Sequence, residues 1–260
     1  MAGFVPLSAQ APVNPDSGGA SNSQPGKSSA PPPETVALDT ADVTAWLDGF
    51  MPYALERGQI AGGAVVVVHN GQPIVEKGYG YADFATKKPV DGKTTMFRPG
   101  SISKLFTWTA VMQQVEAGKL DLDKDVNAYL DFKIPPYDGK PITLRNIMTH
   151  SAGFEESIRH LISNDPKAVM ELGKYSREDL PERVFAPGTT PAYSNYATAL
   201  AGHIVERVSG MSFDDYVEQR IFAPLGMAHS TFRQPLPAKF KPFMSSGYKS
   251  LAEPAQPFEI

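Results

Sequence analysis

The chain has 260 residues, 42% of them hydrophobic and 20% charged, so it can bury a sizeable core and is not a disordered polymer. Its 24 lysines and arginines against 28 aspartates and glutamates give a net charge of −4, which offers no basic footprint for a nucleic-acid partner. With no cysteine and no apolar run near the ~20 residues of a membrane span, the sequence excludes disulfides, a thiolate nucleophile and a span within this chain.

The first predicted segment, residues 1–38, is a disordered tail or the remnant of a secretory signal. Its first 35 residues include 17 that are Pro, Gly or Ser, and such a segment buries too little apolar surface to offset the entropy of ordering. The residues before Ala11 resemble the end of a signal with an Ala9-x-Ala11 cleavage site, although the first positive charge is Lys27. Together with the absence of cysteine, this favours an exported bacterial protein, periplasmic or extracellular.

A helix and a β-hairpin are predicted next. Residues 40–57 place apolar side chains at helical spacing. Residues 64–69 and residues 73–79 form two strand-like runs, and Asn70-Gly71 lies between them. An Asn-Gly pair in this position is typical of a hairpin that turns through a type I′ turn.

Four helices are predicted after the hairpin. Residues 101–117 are apolar nearly all round and end at Gly118, so we expect this helix to be buried. Shorter helices are predicted over residues 143–149, 196–208 and 212–221. The order of elements is therefore strands, one buried helix and then a mostly helical region.

The first chemical motif is Ser101-x-x-Lys104, at the start of the predicted buried helix. Chance alone predicts about one S-x-x-K match in this composition, and a second match, residues 246–249, has no helical pattern after it. A serine at a helix start meets unpaired backbone N–H groups that favour negative charge, and a lysine three positions later shares its face. The alternative is that Ser101 only caps the helix while Lys104 extends into solvent.

The second motif is Tyr193-Ser194-Asn195, directly before the helix predicted at 196–208. It is the only Tyr-x-Asn in the chain, where chance predicts about a quarter of a match. The alternative is again structural, with Ser194 or Asn195 as an N-cap and Tyr193 as a packing residue.

Taken together, the two motifs resemble those of the serine β-lactamase and penicillin-binding-protein superfamily, in its class C, carboxylesterase and D-stereospecific peptidase branch. Further fragments are similar to the same family, namely residues 97–101, 118–123, 142–153, 187–188 and 222–227. The resemblance implies an α/β (α+β) fold of the β-lactamase type, with an antiparallel sheet flanked by helices and a mostly helical domain.

The resemblance also implies the roles of four residues. Ser101 is expected to be the nucleophile of an acyl-enzyme, with Lys104, Tyr193 or the two together as its base. Asn195 is expected to bind the substrate amide or the Lys104 ammonium. The expected activity is that of a serine hydrolase on an ester, a β-lactam or a D-amino-acid peptide. The alternatives are a non-catalytic sensor or binding module on the same scaffold, and an unrelated α/β domain in which both motifs are caps.

No metal or other cofactor is expected. The five histidines show neither H-x-x-x-H nor H-x-H spacing, and His150 is interpreted as a packing residue at a helix end. The expected partner is a small-molecule or peptide substrate.

One family element is missing from the sequence. The K-T-G, H-x-G or W-x-G triplet normally follows far downstream of the tyrosine, but none occurs in the 65 residues after Asn195, and the H-x-G at residues 69–71 lies in the predicted hairpin turn. We therefore expect the N-terminal portion of a longer enzyme, or one chain of a split enzyme. Such a chain has an incomplete sheet, low activity alone and a partner in the form of a C-terminal complementing segment.

The predicted domain boundaries follow from this interpretation. After the tail, residues 39–110 form the first part of the α/β domain with the nucleophile helix. Residues 111–235 form the helical domain. Residues 236–260 begin a return to the α/β domain.

Overall fold

A long helix opens the described part of the chain. The structure is a computed structural model that describes residues 37–157, 159–163 and 165–248. Helix α1, Thr40–Gly58, begins where the Asp39 carboxylate accepts a hydrogen bond from the Ala41 backbone N–H at 2.9 Å. It ends at Gln59, whose left-handed φ of 51° stops the helix. The helix predicted over residues 40–57 is confirmed.

The hairpin follows α1 and forms most of the sheet. Strands β1, Gly62–His69, and β2, Gln72–Asp83, pair antiparallel, with His69 opposite Gln72. Asn70 and Gly71 have φ values of 49° and 75°, the two left-handed positions that a type I′ turn requires. The predicted hairpin is confirmed. A short third strand, β3, Lys88–Pro89, pairs with β2, so the sheet within the described residues has three strands.

Helix α1 packs on the hairpin around a small buried cluster. Its buried members are Leu47 and Leu55 from α1 and Val75 and Tyr79 from β2. A polar contact lies beside it, where Asp48 accepts hydrogen bonds from Lys77 Nζ at 2.6 Å and from Tyr79 OH at 2.8 Å. The hairpin is therefore held to the helix by few residues.

The remaining helices surround a much larger core. They are α2, Lys104–Glu116; α3, Leu144–Met148; α4, Leu172–Glu178; α5, Asn195–Ser209; and α6, Phe213–Val217. A 3₁₀ turn, Gly100–Ser103, leads into α2, and a π turn, Glu218–Phe222, continues α6. The four helices predicted in this region are present, and α4 was not predicted. Buried residues of α2, α3, α5 and α6 form one continuous cluster.

The expected burial of α2 on all sides is wrong. Thr107, Ala110, Val111 and Gln114 are buried on one face, which contacts α5 and α6. Apolar side chains of the preceding turn and the opposite face are exposed, for example Ile102 at 71% and Leu105 at 59%. In the described ranges the packing partners of α2 lie on one side, so its apolar residues are not all covered.

The last described residues run back beside the hairpin. Met244 forms a parallel bridge with Met96, and the Ser246 backbone N–H donates to the Ala82 carbonyl at 2.8 Å. The described residues from Asp39 onward group into one compact unit, and the predicted domain boundaries remain predictions. The predicted tail, apart from its last two residues, and the end of the predicted 236–260 segment lie outside the described residues. Across the described residues, none of the helices is both long and apolar enough to cross a membrane.

Candidate active site

Ser101 and Lys104 meet at the start of α2. Ser101 lies in the 3₁₀ turn and Lys104 is the first residue of the helix, so three positions bring the two side chains to one face. Lys104 Nζ donates to Ser101 Oγ at 3.1 Å. Lys104 therefore points at the serine. The alternative, in which Ser101 only caps the helix, would have Lys104 extend into solvent.

The start of α5 brings Tyr193 and Asn195 to the same point. Ser194 caps α5 by accepting from the Ala197 backbone N–H at 3.1 Å, and this fixes the residues on either side of it. The Tyr193 hydroxyl donates to Ser101 Oγ at 2.6 Å, and Asn195 Oδ1 accepts from Lys104 Nζ at 2.7 Å. The structure thus brings all four predicted site residues together. Tyr193 is 46% exposed, which does not fit a packing role.

The phenol of Tyr193 has a perturbed acidity. Partial burial acts to raise its pKa, but hydrogen bonding to Lys104 and Ser101 and the charge of Lys104 outweigh that effect. The net result is a pKa below the ordinary value for tyrosine. Lys104 Nζ also lies 4.7 Å from the centre of the Tyr193 ring. The phenol of Tyr193 therefore loses its proton more readily than that of an ordinary tyrosine.

His150 supports Tyr193 from the other side. Its ring stacks on the Tyr193 ring with 4.4 Å between centroids, and its Nδ1 lies 3.3 Å from the Ser194 backbone N–H. Burial first and the charge of Lys104 second lower the pKa of His150, against a smaller opposing effect of Glu156. A neutral imidazole with Nδ1 as acceptor fits this contact. His150 does pack at the end of α3, and it also packs against the site.

Glu156 is the site residue that the sequence did not reveal. Its carboxylate accepts two hydrogen bonds from Asn195, from the backbone N–H at 3.0 Å and from side-chain Nδ2 at 2.7 Å. The two residues are 39 positions apart, and no motif links them. The only signal is that Glu156 follows the stretch at 142–153 that resembles the family.

A glycine fixes the path of the loop that carries Glu156. Gly153 has a φ of +83°, and a Cβ there would lie 2.0 Å from the Phe185 carbonyl oxygen. The Gly153 carbonyl in turn accepts from the Val184 backbone N–H at 2.8 Å. Only glycine combines this conformation with this close approach, so the loop is anchored three residues before Glu156.

An open cavity of about 830 Å³ lies at the site, and Ser101, Lys104 and Asn195 form part of its wall. Apolar side chains such as Leu161 and Phe232 form other parts. A neighbouring cavity of about 740 Å³ shares Lys104 and Asn195 and continues along α5. A reactive carbonyl group therefore has room to reach Ser101 Oγ with a sizeable group attached. In the parts of the chain that the structure describes, no three His, Asp or Glu residues are grouped to hold a metal ion.

The second S-x-x-K match forms no such arrangement within the described residues. Ser246 Oγ lies 3.3 Å from Asp83 Oδ2, beside the hairpin, and Lys249 is outside the described residues. Of the two matches, the structure places the one at Ser101 beside a tyrosine and an asparagine.

Comparisons with known proteins agree with the sequence resemblance. A family model described as "Beta-lactamase" matches residues 45–256. Among curated proteins, "Protein flp" of Staphylococcus aureus (strain N315) is 28% identical over 199 residues, which cover 75% of this chain and 39% of that protein. The "Putative penicillin-binding protein PbpX" of Bacillus subtilis (strain 168) is 30% identical over 194 residues, covering 72% of this chain and 45% of that protein. The chain spans less than half the length of these relatives.

A solved structure gives the same result for the fold. The structure titled "Crystal structure of a class C beta lactamase" superposes with a TM-score of 0.70 and 27% identity, over 86% of this chain and 59% of that one. The predicted β-lactamase-like mixed fold, with a small antiparallel sheet and helices, is confirmed. The chain belongs to the β-lactamase family.

Proposed function

We propose that this chain carries the acylation centre of a serine hydrolase, with Ser101 as the nucleophile. Family membership supports serine-hydrolase chemistry broadly. The single observation that carries the finer proposal is that Ser101 Oγ lies within hydrogen-bond distance of both Tyr193 OH and Lys104 Nζ. A nucleophilic hydroxyl needs an adjacent base, and two candidates contact this one.

Tyr193 is the proposed base. In its phenolate form it accepts the Ser101 proton while Oγ attacks the substrate carbonyl carbon and the carbonyl oxygen takes up the electron pair. Collapse of this intermediate breaks the bond to the leaving group, which receives the proton from Tyr193 and leaves an ester on Ser101. Water then attacks the ester and gives a proton to Tyr193. Collapse of this second intermediate frees the acid, and Tyr193 returns the proton to the departing Ser101 Oγ, which restores the phenolate. The lowered pKa of Tyr193 supports this assignment.

Lys104 and Asn195 complete the proposed mechanism. The Lys104 ammonium stabilises the phenolate, and Asn195 Oδ1 holds that ammonium at 2.7 Å. The Ser101 backbone N–H, in the first turn before α2, is a suitable donor for the developing oxyanion.

A second oxyanion donor is proposed to come from a complementing segment that bears the third family motif. Within the described residues β1 has one strand neighbour and so lies at an edge of the sheet, and its side chains Val66 and Val68 are exposed. A surface of this kind suits an added strand. Because losing one oxyanion donor typically costs about 10²–10³ in rate, we expect low activity from the chain alone.

The substrate is proposed to be an ester, a β-lactam or a D-amino-acid peptide. The chain covers less than half of its curated relatives, so the activity of a whole protein is part of this proposal. We also propose an exported location, periplasmic or extracellular, on the absence of cysteine and the Ala9-x-Ala11 pattern.

Covalent labelling tests the proposal. A fluorophosphonate probe and a fluorescent penicillin are expected to label the full chain, and Ser101→Ala is expected to abolish both signals. Ser209→Ala, at the opposite end of α5, serves as the matched serine control and should retain them. A parent chain that stays unlabelled during an incubation long enough to detect a reaction slowed about 10³-fold, or an S101A variant labelled as fast as the parent, would contradict the nucleophile and favour a non-catalytic binding module.

A further inference from the structure

Asn195 is held by a carboxylate on the side away from Lys104. Glu156 accepts from both the Asn195 backbone N–H and its side-chain Nδ2, while Asn195 Oδ1 faces Lys104 Nζ. We propose that Glu156 is a positioning residue that fixes the Asn195 amide so that its oxygen holds the Lys104 ammonium beside Ser101 and Tyr193. This role rests on the proposed function of Ser101, and it adds a residue that the motifs do not contain.

The donor and acceptor chemistry allows one orientation of the amide. An ionised carboxylate only accepts hydrogen bonds, and an ammonium only donates them. If the Asn195 amide flipped, its NH₂ would face the Lys104 ammonium and its oxygen would face the Glu156 carboxylate. Both contacts would then be repulsive, so Glu156 and Lys104 together select the observed orientation.

The same carboxylate ties this arrangement to the α5 backbone. The Asn195 N–H belongs to the first turn of α5, where backbone donors have no partner within the helix. Glu156 satisfies one of these donors and the adjacent side-chain amide with its two oxygens. Movement of the Glu156 loop therefore changes the position of Asn195, and with it the position of Lys104.

The charge of Glu156 also affects the pKa of the Tyr193 phenol. Lys104 lies over the Tyr193 ring, and His150 stacks on it. Burial first, and then the charges of Asp179 and Glu156, raise the pKa of Tyr175. Among the effects on Tyr193, burial and Lys104 are larger, and Glu156 acts to raise the pKa. If Glu156 holds Lys104 in place through Asn195, its loss should raise the pKa of Tyr193, because Lys104 has the larger effect on the phenol and Glu156 the smaller opposing one.

The test uses the full chain and measures the rate of labelling by the fluorophosphonate probe as a function of pH. Glu156→Ala is expected to slow labelling about tenfold or more, the range for losing hydrogen bonds to a charged group. Glu156→Gln should slow it less, because one amide oxygen still accepts. In Glu156→Ala, in which Lys104 is no longer held, the acidic limb of the pH profile should move to higher pH. Glu155→Gln, at the exposed neighbouring carboxylate, is the control and should change neither quantity.

Two results would overturn the role of Glu156. One is an unchanged rate and pH profile in Glu156→Ala, and the other is a slower rate in Glu156→Ala with an acidic limb that stays in place or moves to lower pH. A spectroscopic titration of the Tyr193 phenol, taken as the difference from Tyr193→Phe, gives a readout that does not need labelling. If the parent chain is not labelled but Glu156→Ala still raises the pKa of that phenol, the nucleophile is wrong and the positioning role stands.

Discussion

The hairpin layer and the helical region of this chain differ in the number of apolar residues that each buries. Among the described residues, the hairpin layer, α1 with β1 and β2, is held by four buried apolar residues, whereas 21 buried residues form the cluster of the helical region. In the hairpin layer several large apolar side chains are exposed, including Trp46, Tyr53, Val66 and Val68. All four site residues lie at the starts of α2 and α5, which belong to the larger cluster. The contrast indicates that the helical region fixes the geometry of the site.

The largest expected effect is on the labelling rate of Ser101, and it tests whether the reactive residues lie in the helical region alone. Tyr193→Phe is expected to slow labelling of Ser101 about 10²–10⁴-fold, the usual contribution of a positioned base. Its thermal unfolding should change little, because the ring is half-exposed and only the hydroxyl is lost. Tyr53→Phe, at an exposed tyrosine of α1, is the matched control. An equal loss of rate in Tyr53→Phe would contradict the assignment of the base to Tyr193 in the helical region.

The next effect compares the two clusters directly. Leu200→Ala, at a fully buried residue of α5, is expected to cost about 3–5 kcal/mol of unfolding free energy, because the surrounding helices cannot close the cavity. Leu47→Ala, in the small cluster, should cost about 2 kcal/mol, since fewer neighbours lose contact. Urea denaturation measures both, and equal costs would show that the clusters are equally well packed.

A pair of glycines offers a third comparison. Gly153→Ala is expected to destabilise the chain by about 1–3 kcal/mol, because φ is +83° and the new Cβ meets the Phe185 carbonyl. It should also slow labelling, since the loop holds Glu156. Gly49→Ala lies in α1 with open space around its Cβ and should stabilise the helix by about 0.5–1 kcal/mol. Destabilisation by both variants would mean that backbone strain does not distinguish the two sites.

The smallest effect concerns the pH dependence of the hairpin layer. Hydrogen bonds from Lys77 and then Tyr79 hold the pKa of the Asp48 carboxyl below its ordinary value. A depressed pKa stabilises the folded chain above the unfolded-state value near 4, and this stabilisation is lost as the pH falls through the lower folded-state value. The urea midpoints of the parent and Asp48→Asn should therefore differ at neutral pH and converge in acid. A difference that persists in acid would point to a cause other than the ionised carboxylate.

Local signals account for what the sequence predicted well. Asn70-Gly71 indicated the hairpin turn, and Gly210, with a φ of 73°, caps α5, which ends at Ser209, one residue beyond the predicted boundary. The four site residues came from two short motifs whose spacing is a property of the family. Each of these features depends on neighbours in the chain or on a known combination of residues.

Tertiary packing accounts for what the sequence did not predict. An apolar helix carries no sign of which side its partners occupy, so the exposure of Leu105 could not be foreseen. Glu156 contacts Asn195 across 39 positions through a loop that is anchored at Gly153, and no local pattern encodes that approach. Helix α4 was missed because its sequence has only a short and weakly patterned apolar stretch.

The placement of the two tryptophans makes each region separately visible to fluorescence. Trp46 is 62% exposed on α1, stacked against Phe50, while Trp108 lies on α2 with its ring centroid 6.2 Å from that of His150. With Trp46 changed to phenylalanine, the emission that remains comes from one indole beside the imidazole that supports Tyr193. A single optical signal can then follow ligand arrival or imidazole protonation at this locus in real time.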